Sequence, residues 1–168
     1  MGISYELAPD LQNIVNELSK LLFPHIKIDS VVVIRSYGSS SKGTIARCHA
    51  LGKAMQIALN RKGFYVIEVI SKRFDKLSSE EKIKTLIHEL MHIPKSFGGG
   101  FIHHNIVHNK NVERVYEHYI NLKKIQLQNF SEKVSDNQKD DSYELDIVKN
   151  QNNINDFFIK KKKKSFWF

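Results

Sequence analysis

The sequence predicts an α+β domain, a small mixed sheet packed on one central helix, followed by a disordered polar tail. Three observations carry this expectation. Runs rich in β-branched and aromatic residues, such as Val31-Val32-Val33-Ile34 and Phe64-Tyr65-Val66-Ile67, are strand-like and strand-sized. They alternate with segments whose apolar residues recur at helical spacing. After Phe130 the composition turns to Asn, Gln, Asp, Ser and Lys with few aromatics as far as Asn155, which leaves too little apolar surface to offset the entropy of ordering the chain. One globular domain over residues 1–130 and a flexible tail over 131–168 follow.

Leu7 to Leu22 reads as an amphipathic helix, with Leu11, Ile14, Val15, Leu18, Leu21 and Leu22 on one face and Pro24 as its stop. Residues 30–36 form a strand, and Tyr37 to Gly43 a Ser/Gly loop. Thr44 to Ala50 is a second strand. Leu51 to Leu59, apolar at 51, 54, 55, 58 and 59, fits a helix better than a strand. Phe64 to Ile70 is a buried strand. Ser78 with Glu81 three residues on is a capping box, and Ile83, Leu86, Ile87, Leu90 and Met91 give the apolar face of the helix it opens. Pro94 ends that helix. A Gly98-Gly99-Gly100 turn and a histidine-rich loop follow, then a last helix over Val112 to Leu127 that buries Val115, Tyr116, Tyr119, Ile120 and Leu122.

The 168 residues suffice for one core. The single cysteine, Cys48, excludes an intramolecular disulfide and any Cys-x-x-Cys metal knuckle. No apolar run approaches the length of a membrane span, and the first residues lack a basic region followed by an apolar stretch, so a cytoplasmic protein is expected. Residues 1–130 carry 18 Lys/Arg against 11 Asp/Glu, while 131–158 carry 3 against 7. A basic body of this kind concentrates polyanions, nucleic acid among them.

The helix after Ser78 carries His88-Glu89-Leu90-Met91-His92. Residues four apart share a helix face, so His88 and His92 can offer two imidazoles to one Zn²⁺. Glu89 then sits beside the metal and not on it, placed to accept a proton from an activated water. A catalytic zinc needs a third protein ligand and one open position. His103, His104 and His108 are candidates; Glu113 and Glu117 are weaker ones and read as surface carboxylates, and Gly98 cannot ligate. His25, His49 and His118 read as structural or solvent-exposed histidines.

The runs Thr44-Ile45-Ala46-Arg47-Cys48-His49-Ala50, Phe64-Tyr65-Val66-Ile67-Glu68-Val69-Ile70 and His88 through Gly100 resemble metallopeptidases of archaea and phages, zincin-like proteins similar to the SprT group. The resemblance covers roughly residues 5–125. Its sharpest element is His-Glu-Leu-x-His-Ile-Pro followed by paired glycines and a histidine. It implies a zincin-like peptidase domain with Glu89 as the catalytic residue and His88, His92 and His104 as zinc ligands, His104 standing four residues after the second glycine of the Gly99-Gly100 pair.

In the tail, Gln151, Ile154, Phe157 and Phe158 fit the spacing of a PIP box, the peptide that docks replication and repair enzymes on the sliding clamp PCNA. One turn of helix brings the three apolar side chains onto one face, as a plug for an apolar pocket. Lys160 to Lys164 would meet an acidic clamp edge or nearby DNA phosphate. An SprT-like domain joined to a clamp-binding tail is similar in layout to the Spartan proteases that digest proteins crosslinked to DNA, without their Cys-rich finger. The expectation is a clamp-recruited zinc protease acting on DNA-associated proteins. A PCNA-binding adaptor with a structural zinc is the alternative. A nuclease ranks below both, because hard-metal phosphate chemistry prefers clustered carboxylates.

Overall fold

A computed structural model describes residues 2–136, with side-chain surroundings through Ser131. Gln151, Ile154, Phe157, Phe158 and the lysine run lie outside the described residues. The chain divides into two compact units, Met1–Leu122 and Lys123–Phe168. The first holds the sheet and the site.

Four strands make one sheet: β1 (Ser4–Leu7), β2 (Val31–Tyr37), β3 (Ala46–Ala50) and β4 (Tyr65–Ile70), in the order β1-β2-β4-β3. β2 and β4 run parallel in the centre, with Val31 opposite Tyr65 and Ile34 opposite Glu68. β1 pairs antiparallel with β2, and β3 antiparallel with β4, Cys48 facing Ile67. The sheet is therefore mixed, and β3 is an edge. Side chains alternate across a strand. Val31, Val33, Tyr65, Ile67 and Val69 accordingly share one face, and all are buried.

Helices α1 (Pro9–Leu22) and α4 (Ser79–Met91) close that face. α1 buries Leu11, Val15 and Leu18; α4 buries Ile83, Leu86, Ile87 and Leu90. Both sets follow the apolar spacing read from the sequence. Ser78 caps α4 as expected: its hydroxyl accepts from the Glu81 amide at 3.3 Å, and the Glu81 carboxylate accepts from the Ser78 amide at 2.8 Å. A bidentate ion pair between Arg35 and Asp10, both contacts 2.7 Å, ties β2 to the start of α1. The other helices are α2 (Lys53–Ala58), α3 (Ser71–Phe74) and α5 (Asn109–Asp136). Among the described residues no helix is long and apolar enough to cross a membrane.

The structure departs from the sequence reading in four places. β1 was not expected; four residues with a charge among them are too short a run to show a period. α3, a single turn after β4, escapes for the same reason. α2 is a helix as expected but shorter, Lys53–Ala58 against Leu51 to Leu59; Met55 and Ile57 are exposed, as is Leu59 just past its end, and its one buried residue is Gln56. α5 starts three residues earlier than expected and continues to Asp136, past Phe130 where the composition changes. The residues added at its C-terminal end include Gln128, Glu132 and Lys133, good helix formers without an apolar period. Of its expected buried face, Tyr119 is buried and donates from its hydroxyl to Glu17 at 3.0 Å, while Val115, Tyr116, Ile120 and Leu122 are half-buried.

Candidate metal centre

α4 ends at Met91, and His92 caps it in helical geometry. His88 and His92 thus sit one turn apart on the same face, with their Nε2 atoms 3.2 Å apart. The ring orientation of His92 is fixed from behind. Its Nδ1 lies 2.6 Å from the Ile102 carbonyl oxygen. A carbonyl only accepts, so Nδ1 carries the proton and Nε2 keeps the lone pair. The Ile102 amide in turn donates to the His92 carbonyl at 2.8 Å. This two-point tie holds the loop after the helix against the helix end.

That loop reverses because Phe97 and Gly99 have positive φ, 49° and 88°. It returns His104 to the pair: its ring centroid is 5.4 Å from that of His88 and 4.6 Å from that of His92. The ligand atoms of His88, His92 and His104 all lie within 4.8 Å of one another. His103 and His108 are exposed and stand outside this group. Among the described residues no fourth His, Cys, Asp or Glu joins it. His25 is elsewhere, hydrogen-bonded to the Ile93 carbonyl at 3.1 Å. His49 pairs with the buried Glu68 at 2.7 Å on the opposite face of the sheet. Glu113 pairs with Lys84, and Glu117 is exposed.

The donor set suits a metal ion. Two nitrogens bound at about 2.0–2.1 Å to one tetrahedral ion stand about 3.3 Å apart, close to the spacing of His88 and His92. Burial, with His92 and His104 adjacent, pushes the His88 pKa down to about 4. His92 is likewise lowered, chiefly by burial. Both are therefore neutral near pH 7, the form that ligates.

Glu89 projects differently from the histidines. It is buried, and burial raises its pKa to about 7, with a hydrogen bond from the Cys48 backbone amide pulling the other way. That amide belongs to the sheet edge. In the antiparallel pairing, Ile45 O accepts from Ile70 N and Leu51 N donates to Phe64 O, so the odd-numbered residues bond inward to β4. Ala46, Cys48 and Ala50 turn their backbone groups outward. The Cys48 thiol itself is pushed up to about 12, first by burial and then by the neighbouring Glu89, and it stands outside the histidine group.

A cleft of about 590 Å³ opens beside these groups, between Thr44, Ile45 and Ala46 on one side and Lys84, His88 and Glu89 on the other. His88 of the histidine cluster, the buried Glu89 carboxyl and the start of the β3 edge thus line one opening. A family model described as "Putative phage metallopeptidase" matches residues 3–139. The chain belongs to this metallopeptidase family. The match spans the whole sheet, both halves of the histidine cluster and all of α5. No curated protein and no solved structure matches the chain.

Sequence reasoning named every residue in this cluster but missed two that hold the loop beside it. The Gln56 side chain donates to the carbonyls of Leu51 and Gly98 at 2.7 and 2.9 Å. The Tyr65 hydroxyl accepts from Gly99 N and donates to Gly100 O, both at 3.0 Å. A polar residue between Met55 and Ile57, on a segment read as amphipathic, was the available sign.

The raised Glu89 pKa has a testable consequence. A group whose folded pKa exceeds its unfolded value of 4.5 contributes fully below pH 4.5, and that contribution is lost as pH rises through about 7. Glu89→Gln removes the penalty. In metal-free protein, the stability of the variant relative to wild type should rise by about 3 kcal/mol between pH 4.5 and pH 8. Urea unfolding with chelator at the two pH values checks it, and equal differences at both would contradict the burial of an ionising Glu89.

Proposed function

We propose that the chain is a zinc-dependent metallopeptidase of the zincin type, with Zn²⁺ held by His88, His92 and His104 and Glu89 as general base. The observation that carries this is the convergence of three histidine ligand atoms within 4.8 Å, with buried Glu89 next in sequence to His88 and both lining the same cleft. Neutral imidazoles are the borderline ligands zinc prefers. A zinc ion in that position supplies a Lewis acid that polarises a carbonyl and acidifies water. Glu89 takes up the proton of the attacking water and hands it to the departing amine nitrogen. Its near-neutral pKa suits both halves of that transfer, and a nearby cation draws it toward the ionised form that acts as base. The outward backbone groups of Ala46 and Ala50, with the outward Cys48 carbonyl, offer an extended peptide a strand edge to pair with, while the Cys48 amide serves Glu89.

The reading extends to recruitment by PCNA through Gln151, Ile154, Phe157 and Phe158, and to proteins bound or crosslinked to DNA as targets. Its support is the tail sequence and the basic charge of residues 1–130. A clamp-binding adaptor with a structural zinc would need a closed set of four ligands. The cluster of three among the described residues speaks against it.

Two experiments test these halves separately. Peptide-bond cleavage by the zinc-loaded protein should be abolished by EDTA and restored by Zn²⁺, and Glu89→Gln should lower kcat by about 10²- to 10⁴-fold while zinc still binds. Cleavage at the wild-type rate in that variant would remove Glu89 from the mechanism. The double substitution Phe157→Ala, Phe158→Ala should abolish binding to immobilised PCNA and leave cleavage of a free peptide unchanged; undiminished clamp binding would refute the recruitment proposal.

A further inference from the structure

The three histidines are not held in the same way. His88 and His92 are fixed by the hydrogen bonds of α4 and by the buried side chains of its apolar face. His104 is exposed and lies on a loop, two residues past the Ile102 tie to His92. Its position depends on where the Gly98–Gly100 turn sets the chain.

That turn is gripped by two side chains from outside the loop. Gln56 is the one buried residue of α2, and both its amide hydrogens are used, one on the Leu51 carbonyl and one on Gly98. Tyr65, fully buried at the start of β4, accepts from Gly99 and donates to Gly100. Its ring also packs edge-on against Phe97, centroids 4.9 Å apart. Each of the three glycines therefore has one hydrogen bond to Gln56 or Tyr65. The fit leaves no slack. A Cβ on Gly99, already at φ +88°, would stand 2.3 Å from the Leu51 carbonyl oxygen and 2.4 Å from Gln56 Nε2. A Cβ on Gly63, just before β4, would stand 2.1 Å from the Phe97 carbonyl oxygen. Neither Gln56 nor Tyr65 lines the cleft or belongs to the histidine cluster.

We infer that Gln56 and Tyr65 are positioning residues for the metal: they clamp the Gly98–Gly100 turn so that His104 is presented to His88 and His92. The inference rests on the reading of His104 as the third ligand. Groups that orient a ligand without touching the ion typically govern about 10- to 100-fold in metal affinity. They do so by removing alternative ligand positions before the metal arrives.

Cobalt(II) titration of the full-length protein, followed by its visible absorption, reads this directly. Tyr65→Phe and Gln56→Met should each weaken cobalt binding about 10- to 100-fold and alter the visible band, at a temperature where circular dichroism shows the metal-free variants folded. His104→Ala should weaken binding at least as much, and adding either substitution to His104→Ala should cost little more. A purely structural role would lower the melting temperature and leave affinity and spectrum unchanged. If Tyr65→Phe does not fold, Gln56→Met decides alone. Wild-type cobalt affinity in the clamp variants, with His104→Ala impaired, overturns the clamp and leaves the ligand reading standing. Unchanged cobalt binding in His104→Ala removes the ligand reading and the clamp with it.

Discussion

The site depends on one reciprocal contact, the pair of hydrogen bonds between His92 and Ile102. One bond leaves Nε2 of His92, the nitrogen facing His88, unprotonated. The other binds the outgoing loop to the helix end. Without it, the last turn of α4 would carry an imidazole free to rotate, and the segment between the glycine turn and His104 would lose its tie to the helix end. The contact needs the helix to stop at Met91, so that the His92 carbonyl is left for Ile102 to use. Pro94 enforces that stop, since it has no amide hydrogen to continue the helix.

The second constraint is the sheet edge. The parallel centre of β2 and β4 is covered on one face by α1 and α4, which buries the residues alternating onto that face. β3 then joins β4 antiparallel and ends the sheet on the side of the cleft. Its outward Cys48 amide meets Glu89, and the same burial that raises the carboxyl pKa supplies the hydrogen bond that moderates it. A fully solvated carboxylate is a weak base at neutral pH; one buried without a donor stays protonated. Glu89 lies between these extremes because a helix and a strand edge share it.

Much of this was legible in the sequence, and the limits have physical causes. The apolar period of α4, its capping box and the four-residue spacing of His88 and His92 are local properties, and local properties are written in the chain. The burying faces of α1 and α4 follow for the same reason. His104 was separable from His103 and His108 only by resemblance, because which of three neighbouring histidines turns inward depends on φ at Phe97 and Gly99 and on contacts from Tyr65 and Gln56, far away in sequence. α2 shows the converse case. Its apolar residues predicted the helix, yet Met55 and Ile57 are exposed and the residue it buries is Gln56, whose amide bonds the glycine turn. β1 is too short to carry a period at all; it exists because β2 offers it a partner.

The proposed site is an open three-histidine zinc centre, with Glu89 beside the metal and not on it. Zinc X-ray absorption of the metal-loaded, full-length protein tests it most directly. The account predicts about four light-atom neighbours at about 2.0–2.1 Å, with three of them showing imidazole scattering and the fourth a water oxygen. A fourth imidazole, a sulfur neighbour, or a shell of six oxygens would contradict it.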